Sequence, residues 1–161
     1  KSVWHSIFCR ELLLNQQIVF PDRRFFFEED TLFTLQALLT SSVVAYCPCA
    51  LYVWDKHLDS ESNRVPQFLP QRQMAMIDQI GCLLKENGAW KKYRNELYVL
   101  TSRWLRVYYP FYQGLDGNEW NVLCDLLRRI HFPLVGRYDL RLISKKRLKL
   151  FFFVLKAKLS K

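Results

Sequence analysis

Phe25-Phe26-Phe27-Glu28-Glu29-Asp30-Thr31-Leu32-Phe33-Thr34-Leu35-Gln36 runs three aromatics into a carboxylate triplet and then into an apolar pattern of helical period. Three adjacent carboxylates make a poor core sequence, because a buried carboxylate needs a partner. They suit the edge of a packed layer, where a strand or loop gives way to a helix. Acids are favoured at a helix N-terminus. Two roles therefore stay open for Glu28, Glu29 and Asp30. They cap a helix over residues 31–39, or they hold a carboxylate toward a cleft as a general base.

Outward from the triplet, residues 1–62 read as mixed α/β. Val3 to Phe8 alternates like a strand, and Glu11 to Gln17 reads as one or two helical turns. Ile18-Val19-Phe20 is β-rich and Pro21-Asp22 signals a turn. After the triplet, Leu32, Leu35, Leu38 and Leu39 form a helical stripe with Phe33 beside it. Ser42 to Tyr46 and Ala50 to Trp54 then read as two short strands around Pro48.

Residues 58–69 are polar and contain Pro66, which reads as a loop or hinge. Beyond them the period is helical. Met74, Ile77, Ile80 and Leu84 share a face, as do Leu97, Leu100, Trp104 and Tyr108, and Pro110 is expected to stop that second helix. Gly114 and Gly117 bound a loop. Asn118 is placed to cap a helix carrying Trp120, Leu123, Leu127 and Ile130. The last segment, residues 145–161, sets Leu148, Phe151, Phe152, Leu155 and Leu159 on one stripe flanked by lysines and Arg147. This is the pattern of a basic amphipathic helix, which lies on lipid or docks on its own domain or on a subunit partner with its lysines in water.

Composition narrows the class. Half of the 161 residues are hydrophobic and 16% are aromatic, which is globular and not disordered. No apolar run reaches the ~18–20 residues that a spanning helix needs. The first residues do not form a signal peptide, and the chain reads as a fragment. Five scattered cysteines without a Cys-x-x-Cys pair argue against a zinc site. They are expected to be reduced and mostly buried, in a cytoplasmic setting. Between Arg137 and Lys161 stand nine basic residues and one acid, Asp139, so this segment carries +8 of the chain's +9. A basic tail on a near-neutral body does not favour nucleic-acid binding, and no RNA-binding or zinc-finger motif is present.

The series Trp4, Ile7-Phe8, Leu13-Leu14, Ile18-Val19-Phe20-Pro21, Glu29-Asp30-Thr31, Leu51-Tyr52, Trp54 and Ser60 resembles, in order and spacing, the acceptor-side half of family 2 inverting glycosyltransferases with the GT-A fold. The resemblance covers roughly the first 60 residues. It implies an α+β fold: a partial GT-A α/β half-domain with short strands over 1–62, then a mainly α-helical lobe over 63–161. It also implies transfer of a sugar from a nucleotide-sugar, a UDP-sugar foremost, to a glycan or lipid-linked acceptor. Such enzymes build bacterial capsule, lipopolysaccharide and other surface polysaccharides. They work in the cytoplasm or on the inner face of the cell membrane.

By the same resemblance Asp30 is the catalytic base and Glu29 orients the acceptor or the helix start. Trp4, Glu28, Lys56 and His57 fall on the substrate side, with His57 also toward a divalent Mg or Mn ion. Two positions depart from the family pattern. Ser6 replaces a Lys, and Asp55 stands where an Arg is usual, so Lys56 is expected to take over a phosphate contact. The family's nucleotide-binding half, with its Asp-x-Asp motif, has no counterpart here, and this chain is expected to be inactive alone. The alternative is a non-catalytic helical module for subunit contact, self-association or membrane docking.

Overall fold

The computed structural model describes residues 3–49, 52–53, 55, 67–129, 153, 155–156 and 159, without the side chains of Tyr98 and Ser102. Every regular element among them is a helix. After a 3-10 turn at Val3–His5 come α1 (Arg10–Asn15), α2 (Glu29–Thr40), α3 (Leu69–Glu86), α4 (Trp90–Tyr112) and α5 (Gly117–Arg129). The expected α+β architecture with short strands is thereby overturned. Residues 42–49 follow α2 as exposed, irregular chain, as do Tyr52, Val53 and Asp55. Their β-branched and aromatic residues favour an extended backbone, but a strand exists only where a neighbour completes its hydrogen-bond ladder.

The chain forms two compact units, Lys1–Trp90 and Lys91–Lys161. The boundary expected near residue 63 lies outside the described residues. In the first unit α2 packs against α3, against α1 and against the 3-10 turn. Ile18, Phe33 and Ala37 form its buried centre, with Val3, Phe8 and Leu13 packed around them.

Ile18 shows why a β-rich triplet need not be a strand. The Ile18 amide donates to Leu13 O at 2.9 Å and the Gln17 amide to Leu14 O at 3.2 Å. Gln17 has φ 52°, in the left-handed region. This is a Schellman termination of α1, and Ile18 is the apolar residue that such a motif folds back onto the helix, here against Leu13. The end of α3 repeats the pattern with better chemistry. Gly88 takes φ 64°, its amide reaches Lys85 O at 3.0 Å, and the Ala89 amide reaches Leu84 O at 2.7 Å.

The helical period was right in kind and shifted in detail. In α2 the buried residues are Leu32, Phe33 and Ala37, while Leu38 is exposed. In α3 the inward face is Leu69, Gln73, Met76, Ile80, Leu83 and Leu84, with Met74 and Ile77 at its margins. Pro70 lies in the first turn of α3, where its missing amide leaves no bond unmade.

In the second unit α4 buries Leu97, Thr101, Trp104, Leu105 and Tyr112, and α5 buries Leu123, Cys124, Leu126 and Leu127. Pro110 does not stop α4, which continues to Tyr112. The proline ring holds a helical φ, so the helix can run on past it at the cost of one ladder bond to the preceding turn. Asn118 is not a cap either. It lies inside α5, whose first carbonyl acceptor is Asp116, bonded to the Trp120 amide at 3.2 Å. None of the five cysteines forms a disulfide. Contrary to the expectation of burial, only Cys124 is buried, and Cys9, Cys47, Cys49 and Cys82 are exposed.

Candidate functional site

The carboxylate triplet opens α2. Glu28 occupies the N-cap position with φ 54° and ψ 58°, and its side chain makes no capping hydrogen bond. A left-handed backbone at a non-glycine residue costs roughly 1–2 kcal/mol, so the chain holds Glu28 there against its preference. The Glu28 carbonyl accepts the Thr31 amide at 2.9 Å, and its carboxylate accepts only the Thr31 hydroxyl, at 3.5 Å. Glu29 and Asp30 fill the first helical turn. Among the described residues neither carboxylate accepts a hydrogen bond or forms an ion pair, although all three acids are half-buried. The capping role is therefore not what these side chains perform. What remains of it is the general preference of the helix dipole for negative charge.

The approach to the triplet is braced from two directions. Phe27 is buried immediately before it, and Leu32 and Phe33 are buried immediately after. Upstream, Asp22 organises a tight turn. Its carboxylate accepts the Arg24 amide at 2.8 Å and the Arg24 Nε at 2.9 and 3.0 Å, and its carbonyl accepts the Phe25 amide at 3.0 Å. The Arg24 side-chain and backbone bonds hold the Asp22 carboxyl down at about 2, from an ordinary value of 3.8. A depressed carboxylate stabilises the fold above its unfolded value and loses that contribution as pH falls. The turn should thus stay intact down to about pH 4 and loosen between there and about pH 2. An NMR titration of the Asp22 carboxyl carbon should show that low midpoint, and a midpoint near 3.8 would remove the turn's electrostatic basis.

From α3, Arg72 reaches back to the same loop. Its Nη2 donates to the carbonyls of Arg23 and Phe26, the latter at 2.9 Å. Its Nε is buried without a partner. Hydrogen bonds from a charged donor are worth about 1.5–3 kcal/mol. Arg72→Met keeps the apolar stem and removes the donors, so it should lower the unfolding free energy by about 2 kcal/mol in a urea titration. An unchanged midpoint would show that the loop holds itself.

Trp4 lies in the 3-10 turn that packs on α2. Its ring stacks on Tyr52 at 4.8 Å and tilts against His5 at 5.0 Å, and Trp4 and Tyr52 both remain exposed. The structure thus brings Trp4 to α2, whose first turn holds Glu29 and Asp30. Lys56 and His57 lie outside the described residues. No group of three His, Cys, Asp or Glu able to hold a metal occurs among the described residues, so none of them is assigned to a divalent ion. The turn expected at Pro21-Asp22 is present; sequence reasoning missed Arg72 and the pairing of Asp22 with Arg24. The Asp22-Arg23-Arg24 cluster after a proline was a legible signal for the second. Nothing local signals a guanidinium arriving from 46 residues away. Comparison of the chain with family models, with curated proteins and with solved structures finds no match.

Proposed function

We infer that this chain carries the acceptor side of an inverting sugar transfer, with Asp30 as the general base. The carrying observation is a pair of half-buried carboxylates, Glu29 and Asp30, held at a braced helix start and engaged by no described group. A carboxylate left free in this way is available to take a proton from an acceptor hydroxyl as that oxygen attacks the anomeric carbon of a nucleotide-sugar. The bond to the nucleoside diphosphate breaks on the opposite face, and the anomeric configuration inverts. Glu29 orients the acceptor, and Glu28 holds the left-handed start that aims both.

With no strand among the described residues, the fold lends this reading no support. It rests on the triplet and on the ordered series of sequence elements from Trp4 to Ser60. The donor is a UDP-sugar and the acceptor a glycan or a lipid-linked sugar of a bacterial surface polysaccharide. The test is UDP-sugar turnover by the full-length protein against its Asp30→Asn variant.

A second reading draws on a different observation. Ile7, Val43, Tyr46 and Val53 are each at least 80% exposed. The first unit therefore also fits a non-catalytic interaction module, with these residues as its contact candidates. Normal turnover in Asp30→Asn would favour it.

A further inference from the structure

Cys47-Pro48-Cys49 is the one close pair of cysteines in the chain. It lies in the irregular stretch that follows α2, and all three residues are exposed. Among the described residues no group engages either thiol. Cys9, by contrast, donates to the Glu11 carboxylate at 3.2 Å. Cys9 and Cys82 are also exposed, but each stands alone in its stretch of sequence, and Cys124 is buried.

The spacing puts the two sulfurs within reach of one another. Two peptide units separate the Cα atoms of Cys47 and Cys49, at about 3.8 Å each, so the two stay within about 7.6 Å. A disulfide takes roughly 4.4–6.8 Å between its Cα atoms, which is the inner part of that range. Pro48 holds its φ at about −65°, close to the roughly −75° at the centre of an inverse γ-turn. That tight turn draws the residues on either side together. Nothing regular has to break for the chain to take it, because α2 ends at Thr40 and residues 42–49 belong to no ladder.

We propose that Cys47 and Cys49 form a reversible dithiol–disulfide pair that exchanges with a small disulfide of the glutathione class. One thiolate attacks a sulfur of glutathione disulfide, whose S–S bond breaks and releases one glutathione. The second thiolate attacks the protein sulfur of the mixed disulfide, closing the ring and releasing the other glutathione. The pair loses two electrons and two protons, and both glutathiones leave as thiols. The second step is intramolecular and meets an effective thiol concentration on the order of mM or higher, so the mixed disulfide is short-lived. A ring this small and this exposed is a labile bond, which excess thiol reopens. This inference does not depend on the sugar-transfer reading.

The test is incubation of the whole folded chain with excess glutathione disulfide, followed by alkylation with N-ethylmaleimide and peptide mapping by mass. The peptide holding Cys47 and Cys49 should lose two hydrogens and carry no adduct, while Cys9 and Cys82 carry glutathione or maleimide. Excess reduced glutathione should restore both thiols to alkylation. Cys47→Ser and Cys49→Ser should each abolish the ring and turn the mixed disulfide at the remaining thiol from a trace into the main product. Both positions are exposed, so thermal melting of both variants should match the parent chain. Cys47 and Cys49 both alkylated, or both carrying glutathione, would overturn the proposal. So would a bond from either one to Cys9 or Cys82, or a ring that excess glutathione fails to open.

Discussion

Replacing Asp30 with Asn should lower the rate of sugar transfer about 100-fold or more while leaving acceptor and donor affinity close to unchanged. The amide keeps the shape and the hydrogen-bonding reach of the carboxylate, and it cannot take up the hydroxyl proton. General-base catalysis is typically worth 10²–10⁴-fold, and an interaction confined to the transition state appears in kcat more than in KM. The same variant separates the two readings of the triplet, because a helix start responds differently from a base. An acid in the first turn contributes about 0.3–1 kcal/mol through the helix dipole, and no side-chain cap is present to lose. A small drop in melting temperature with a large drop in kcat is therefore the signature of a base. A small drop in melting temperature with normal kcat would reduce the triplet to a helix terminus and sink the assignment.

Phe33→Ala should be the most damaging single change to the first unit, costing about 3–5 kcal/mol. Phe33 is 5% exposed and lies between Phe20, stacked at 4.1 Å, and Phe8, edge-on at 5.1 Å. It also contacts the Ile18–Ala37 centre that joins α2 to α1. Truncation removes the buried ring and leaves a cavity that two further rings border. Against the ~5–15 kcal/mol stability of an ordinary domain, that loss leaves little margin. Phe33→Leu keeps most of the apolar volume and should cost about 1.5 kcal/mol or less. Urea titrations of both variants check the pair. A loss under about 1 kcal/mol for Phe33→Ala would mean that α2 is seated by something other than this cluster. Because Asp30 lies one turn before Phe33 on the same helix, the alanine variant should lose activity along with stability.

The long helices were legible in the sequence because their signal is repeated. α3 and α4 each carry five or more apolar residues at helical spacing, so a misjudged residue shifts the face without removing the helix. Hence the error at α3 was one of register: Met76 and Leu83 lie inward where Met74 and Ile77 were expected. The supposed strands carried a different kind of signal. Val43-Val44 and Ile18-Val19 advertise a backbone preference, which is local, whereas a strand is a pairing, which is not. At Ile18 the left-handed residue before it won, turning the chain into a helix terminus. At 42–46 the described neighbours supply no ladder.

Pro110 failed as a stop signal because a proline removes one ladder bond to the turn before it without forbidding helical dihedrals, and the long helix upstream outweighs that loss. At the candidate site the acids themselves were visible, since a carboxylate triplet is conspicuous at any burial. Their brace was not. Arg72 sits in a Gln-Arg-Gln run on a helix of otherwise apolar inward face, and its partners are main-chain carbonyls, which have no sequence signature at all.

That brace has a kinetic meaning. Phe25 and Phe26 sit in a short turn whose amides point at the Asp22 carbonyl, and a surface turn of this size would ordinarily open and exchange its hydrogens freely. Tied by one guanidinium to the first turn of an eighteen-residue helix, it opens only when Arg72 lets go or that turn of α3 frays. The turn and the helix start thus form one cooperative unit. The acids downstream borrow their stillness from a helix far away in the chain, and the tempo at which the site loosens is set there.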